Sequence, residues 1–323
     1  MNAITFCYNK RPYFKELEFT MKKQLQESIE LAKHLLGQGH VATYIPELSK
    51  VEPKQFSAAI ICHSSLETFE FGEKDKLFSI QSVSKLFSLT LALNELDDKL
   101  WLRTNKEPSG MAFNSLVQLE YEQGIPRNPF INAGAIVTTD ILCEKYGKDA
   151  FAKILSFIQT LAGNDSINFD ENIYQSEKST GHRNYALAYF MKSYNNIHCD
   201  VDLVLDTYFK MCSIMMSSTD LARAFYFLCN GGLDIKGNVV TNSRHTKRIN
   251  ALMMSCGTYD NVGEVAYRIG LPCKSGVGGA IVAALANNYS ICVWSPALNE
   301  KGNSLFGMKV LEEFTTLTGK SSF

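Results

Sequence analysis

Two apolar runs near the carboxyl end, residues 279–285 and 290–294, flank the pair Asn287-Asn288. Apolar runs on either side of an asparagine pair predict a β-hairpin, because asparagine tolerates the left-handed backbone of tight turns. A lone hairpin is marginal in water, so further strands are required. Short candidates stand at the opposite end of the chain, at 58–62 and 76–80 around a turn at Gly72. Between these ends, residues 82–95, 138–162, 200–213, 219–229 and 243–255 read as helices, with Gly231-Gly232 as a break. A further helix fits 22–38, where Leu25, Ile29, Ala32 and Leu36 share a face that Gly37 and Gly39 terminate. Another fits 304–317.

The expected fold class is therefore α+β: an antiparallel sheet formed by the N- and C-terminal segments, flanked by helices, with a central helical subdomain. The expected division is an irregular leader over 1–21, a sheet-containing part over 22–81 and 256–323, and a helical part over 82–255. An active site belongs in the cleft between the last two.

Composition narrows the class of function. The 323 residues are 46% hydrophobic and 20% charged, with a formal net charge of -1. There is no basic excess for nucleic acid and no acidic tail. No run reaches the roughly 18 apolar residues of a membrane span; residues 86–93 come nearest and contain Ser88 and Thr90. The amino terminus lacks the apolar core of a signal peptide. Nine cysteines stand singly with no CxxC pair, which fits buried reduced thiols and a cytoplasmic location. The six histidines form no HExxH motif, and neither a metal nor an organic cofactor is expected.

The chemistry concentrates in Gln81-Ser82-Val83-Ser84-Lys85, which opens a helical run. Residues three apart share a helix face, so Lys85 falls beside Ser82. The helix start favours negative charge there. Serine needs a base to become a nucleophile, and a lysine serves only if desolvation lowers its pKa. The same residues also describe a simple helix cap. A second motif, Lys274-Ser275-Gly276-Val277-Gly278-Gly279, precedes the strand AIVAAL. A Lys-Ser/Thr-Gly on an edge strand partners Ser-x-x-Lys in penicillin-recognising enzymes. Its glycines let a backbone N–H approach a substrate carbonyl.

Eight ordered blocks carry a closer resemblance: Tyr44-Ile45-Pro46-Glu47-Leu48; FSIQSVSK at 78–85; Glu107-Pro108-Ser109-Gly110 with Phe113-Asn114-Ser115; RNPFINAGAI at 127–136; YQSEKSTGHRNYALAYF at 174–190; LDTYFKMCSI at 205–214; CGTYD at 256–260; and GLPCKSGVGG at 270–279. Together they resemble the serine-dependent glutaminases of the β-lactamase/DD-peptidase-like fold, from about Gln24 to about Leu317. The resemblance implies hydrolysis of L-glutamine to L-glutamate and ammonia. It implies Ser82 as nucleophile, Lys85 as its activator and Tyr259 as proton relay, with the backbone of Ser82 and Val277 as oxyanion hole. It further implies that Tyr44, Asn132, Glu177, Asn184 and Tyr208, with Gln81 beside them, hold the amino-acid end of the substrate. A homodimer or homotetramer is the expected assembly, with no nucleic-acid or membrane partner.

The physical reading agrees, since free glutamine needs an anion for its ammonium and donors for its carboxylate. Each residue also has a plain alternative: Glu177 and Asn184 fit a solvated loop, Asn132 a buried structural amide, and Tyr44 and Tyr208 core aromatics. Cys273 stands where a small alanine is usual, and His182 lies inside the Glu177–Asn184 segment. A serine β-lactamase or DD-peptidase also explains Ser82, Lys85 and Lys274. Its third motif, Ser-x-Asn, is spelled by Ser193-Tyr194-Asn195, but 111 residues after Ser82 and in a polar stretch read as a loop. The other alternative is a catalytically silent ligand-binding relative.

Overall fold

The computed structural model describes residues 12–110 and 112–323. Eight strands occur among them: β1 (Ser57–Cys62), β2 (Thr68–Gly72), β3 (Phe78–Ser79), β4 (Asn168–Phe169), β5 (Ile214–Met216), β6 (Cys273–Ser275), β7 (Ala280–Leu285) and β8 (Tyr289–Trp294). Five form an antiparallel sheet in the order β2-β1-β8-β7-β6, so the two chain ends do build one sheet. The β7–β8 hairpin turns at Asn287, whose φ is +58°, with Val282 opposite Cys292.

The strands β1, β7 and β8 are buried along their whole length, because helices cover both faces. On one face Ile60, Ile281, Ile291 and Val293 pack with Leu25 and Ile29 of the helix Pro12–Ala32 and with Phe306, Val310 and Phe314 of the helix Leu305–Thr318. On the other, Ala59, Ile61, Val282 and Trp294 join the core of the helical region, where Trp294 stacks on Phe78 at 4.8 Å. Two covered faces explain runs that are apolar throughout instead of alternating.

Several boundaries differ from expectation. The strand expected at 76–80 is not part of the main sheet. β1 turns back at residues 63–67 into β2, and β3 pairs instead with β5 in a separate sheet of order β3-β5-β4. β2 is a half-exposed edge strand without a continuous apolar signal. Gly72 ends it instead of turning it, since a Cβ there would meet the Phe56 carbonyl oxygen at 2.4 Å. The leader is helical from Pro12 onward, where proline's missing N–H costs nothing in a first helical turn; residues 1–11 of the expected leader lie outside the described residues. The helix expected over 138–162 is two, Asn132–Tyr146 and Ala150–Ala162, broken where Gly147 adopts φ +56°. The helix expected over 219–229 ends at Ala224 and passes into a 3₁₀ turn at Tyr226–Leu228. Among the described residues, no helix is long and apolar enough to cross a membrane.

Candidate active site

The edge strand β6 lies against the 3₁₀ turn Gln81–Ser84 that leads into the helix Lys85–Leu96. The contact requires glycine: a Cβ on Gly276 would stand 2.7 Å from the Ile80 carbonyl oxygen and 3.4 Å from the Ser82 nitrogen. Both motifs thus meet at Ser82. Two non-glycine residues here hold positive φ, Gln81 at +47° and Tyr259 at +60°. Such strain persists only where the surrounding structure imposes it.

Ser82 is 8% exposed, whereas Lys85 is completely buried in the apolar start of its helix. Burial lowers the Lys85 pKa to about 8, with the nearby Cys212 and Glu177 opposing the shift. Its Nζ donates to Asn132 Oδ1 at 2.7 Å and to the Phe130 carbonyl at 3.1 Å. The Tyr259 hydroxyl faces Ser82, the Ser275 carbonyl at 3.4 Å and the backbone N–H of Val277. Burial pushes its pKa up to about 12. Lys274 is also fully buried, its Nζ donating to the Ser275 carbonyl and lying 5.0 Å above the Tyr259 ring. Burial first, and Lys85 second, hold it well below the usual lysine range.

A cleft opens beside Ser82, with about 550 Å³ of space including its mouth. Tyr44, Gln81, Ser82, Asn132, Glu177, Asn184, Tyr208 and Val277 all line it, from six separate stretches of chain. Glu177 is buried on the helix Glu171–Thr180; desolvation raises its pKa to about 7, while a hydrogen bond from Gln81 and the Lys85 charge pull the other way. Asn132 begins the helix Asn132–Tyr146, and its Nδ2 donates to Asn184 Oδ1 at 2.9 Å. Tyr208 is buried; burial, with Cys212 and Glu177 nearby, holds its hydroxyl well above the usual phenol range. Tyr44 sits at the rim. Its side chain is 54% exposed, yet its hydroxyl is enclosed near Tyr259 and Glu177.

The solvated-loop alternative for Glu177 and Asn184 fails: they lie on two helices, Glu171–Thr180 and His182–Ser193, that meet at Gly181. A Cβ on that glycine would lie 2.5 Å from Phe209 Cζ. Ser193 is exposed, bonds the Phe190 carbonyl, and is not among the residues lining the cleft. Cys212, Phe113, Asn114 and Arg183 also line it and were not anticipated. Cys212 had a signal, since it follows Tyr208 by four residues on the helix Val201–Cys212 and shares its face. Phe113 and Asn114 come from an irregular segment whose position no periodicity reveals. Lys274 was visible as a motif, but its burial against Tyr259 was not.

Asp140, Glu144 and His198 bring three possible ligand atoms within 4.8 Å of one another. The Arg103 guanidinium already pairs with both carboxylates, and Asp140 accepts the backbone N–H groups of His198 and Cys199. This is a filled ion-pair network.

The helix-flanked antiparallel sheet, with Ser-x-x-Lys facing Lys-Ser-Gly, defines an amide hydrolase of the β-lactamase-like fold. The family model described as Glutaminase matches residues 39–323. A glutaminase of Aliarcobacter butzleri (strain RM4018) is 52% identical over 309 residues, spanning 94% of this chain and 99% of its own. One of Christiangramia forsetii (strain DSM 17595 / CGMCC 1.15422 / KT0803) is 50% identical over 286 residues, spanning 88% and 93%. A solved structure of the probable glutaminase ybaS superposes with a TM-score of 0.87 at 32% identity, over 93% of this chain and 98% of that one. The covalent complex between the Bacillus subtilis glutaminase YbgJ and 5-oxo-L-norleucine, formed by reaction with 6-diazo-5-oxo-L-norleucine, superposes with a TM-score of 0.80 at 28% identity, over 93% and 99%. The chain belongs to the glutaminase family, and its activity is that of a glutaminase.

Proposed function

We propose that the chain hydrolyses L-glutamine to L-glutamate and ammonia through an acyl-enzyme on Ser82, in the cleft between the part formed by 22–81 and 256–323 and the helical part 82–255. Neutral Lys85 takes the Ser82 proton as Oγ attacks the side-chain amide carbon. The carbonyl oxygen becomes an oxyanion held by the N–H groups of Ser82 and Val277. Among the described residues neither N–H donates to a backbone carbonyl, which supports this use of both. As the tetrahedral centre collapses the C–N bond breaks, and Tyr259 passes a proton from Lys85 to the departing nitrogen. Water then attacks the ester, its proton returns to Ser82 Oγ by the same route, and glutamate is released. Glu177 receives the substrate ammonium, and Asn132, Asn184, Tyr44 and Tyr208 surround its carboxylate.

One observation carries the reading: a buried carboxylate, Glu177, lines the same small cleft as the Ser82 nucleophile. That pairing fits a free amino acid better than a β-lactam or peptide. The test is reaction with 6-diazo-5-oxo-L-norleucine followed by peptide mass spectrometry. The adduct belongs on the peptide containing Ser82 and vanishes in Ser82→Ala; an adduct elsewhere refutes the nucleophile.

Seven of the eight described cysteines are buried, which supports the reducing, cytoplasmic setting we propose. A homodimer or homotetramer is the assembly we propose from the family resemblance.

A further inference from the structure

Three side chains form a directed hydrogen-bond chain that leads from the fully buried Lys85 to the cleft. Lys85 Nζ donates to Asn132 Oδ1 at 2.7 Å, and Asn132 Nδ2 donates to Asn184 Oδ1 at 2.9 Å. The direction is set at the lysine end. A charged ammonium has no acceptor to offer. A neutral Lys85 has two hydrogens and one lone pair; the Phe130 carbonyl takes one hydrogen at 3.1 Å. If Asn132 turned its amide round, its N–H would occupy the lone pair that Ser82 must use. So Asn132 faces Lys85 with oxygen in either charge state, and must face Asn184 with nitrogen. Asn184 Oδ1 is thereby turned toward Asn132, and its Nδ2, which has no partner among the described residues, is the end left to the cleft it lines.

We propose that Asn132 is a positioning residue through which Lys85 fixes the amide orientation of Asn184, so that the cleft offers N–H to the α-substituent of the substrate and selects a carboxylate there. This rests on the reading of the Ser82 cleft as the glutamine site. Base alignment and substrate selection then share one wire: the bond that keeps the lysine lone pair free also decides the polarity of the wall 2.9 Å further along.

Reversing the chain tests it. In Asn132→Asp both side-chain oxygens accept, so Asn184 turns to donate and presents Oδ1 to the cleft. Two substrates with neutral α-groups report the change free of long-range charge effects. L-glutaminamide has both N–H and C=O at that position, whereas L-glutamine methyl ester has only acceptors. In the wild type their kcat/KM values should be within a few-fold of each other. In Asn132→Asp the amide-to-ester ratio should rise about tenfold or more, the cost of an unpaired acceptor against the ester. Lys85→Glu reverses the chain from its other end. It is read by equilibrium binding of glutamate α-amide and glutamate α-methyl ester, since it cannot turn over, and the same rise is expected. A ratio unchanged from wild type in either folded variant overturns the proposal, because a purely structural Asn132 lowers both values by one factor. Failure of the underlying site reading looks different: wild type would then not prefer glutamine to either neutral substrate, which also overturns the inference.

Discussion

Gly278 lies directly against Ser79: a Cβ built on the glycine would meet the Ser79 carbonyl oxygen at 2.2 Å. The Gly278 carbonyl is also held by Trp294 Nε1 at 2.8 Å, so the strand that stacks on Phe78 fixes the loop carrying Val277. Gly278→Ala should therefore lift this loop from the Ile80–Ser84 turn and displace the Val277 N–H. Loss of one oxyanion donor costs about 100- to 1,000-fold in kcat, with KM changed far less. Steady-state kinetics on folded variant decide it; an unchanged kcat removes Val277 from the oxyanion hole.

Ser82→Ala and Lys85→Ala should each abolish turnover in a protein that keeps its circular dichroism and melting temperature. The double variant should be no worse than either single one, because residues acting as a unit are not additive. Near wild-type turnover in Ser82→Ala would exclude the acyl-enzyme.

The pH profile follows from the sign of the Lys85 shift. Burial lowers its pKa to about 8, and only the neutral form accepts the serine proton. At saturating glutamine, kcat should rise about tenfold per pH unit below 8 and level off above it. An enzyme already at its plateau at pH 6.5 would show that a different group is the base.

Glu177 gives two separate signatures. Its pKa is raised to about 7, so the folded protein binds more protons than the unfolded chain between about 4.5 and 7. Stability from this group is therefore lost as pH rises through that window. Glu177→Gln should be more stable to urea unfolding than wild type at pH 8, by up to about 3 kcal/mol, and converge with it toward pH 4.5. In turnover the same variant loses a charge-assisted bond, and kcat/KM for glutamine should fall about 10- to 150-fold. The fall should be much smaller for an N-acylated glutamine. Equal losses on both substrates would make Glu177 a structural residue.

Arg103 should matter to stability and not to chemistry. It pairs with Asp140, whose side chain is fully buried, and with Glu144. Arg103→Met leaves that buried carboxylate without its cation, which costs about 3–5 kcal/mol in urea unfolding. Exhaustive dialysis against a chelator should leave glutaminase activity unchanged. Activity lost and then restored by zinc would reveal a metal at the Asp140–Glu144–His198 cluster or elsewhere.

The sequence by itself determined the outer frame and the Ser82-x-x-Lys85 spacing on which the proposed nucleophile rests. The β7–β8 hairpin was legible because its turn chemistry is local, and the runs around it are apolar for a reason that burial on two faces enforces. Ser82 and Lys85 were legible because three residues of helical chain are one rigid unit. Eight ordered blocks named the family, although block identity carries no distance. The strand Thr68–Gly72 was missed because a half-exposed edge needs little apolar signal, and the helix break at Gly147 because periodicity runs on across it. Tertiary structure alone decided what Lys85 touches. Its hydrogen-bond partners lie 45 and 47 residues away, so its lowered pKa, the orientation of Asn132 and the polarity offered by Asn184 depend on long-range packing. Local rules fix backbone shape, because turns and helices close over a few residues. Charge state and hydrogen-bond direction depend on which distant segments exclude water, and that is settled only when the sheet and the helices close on Ser82.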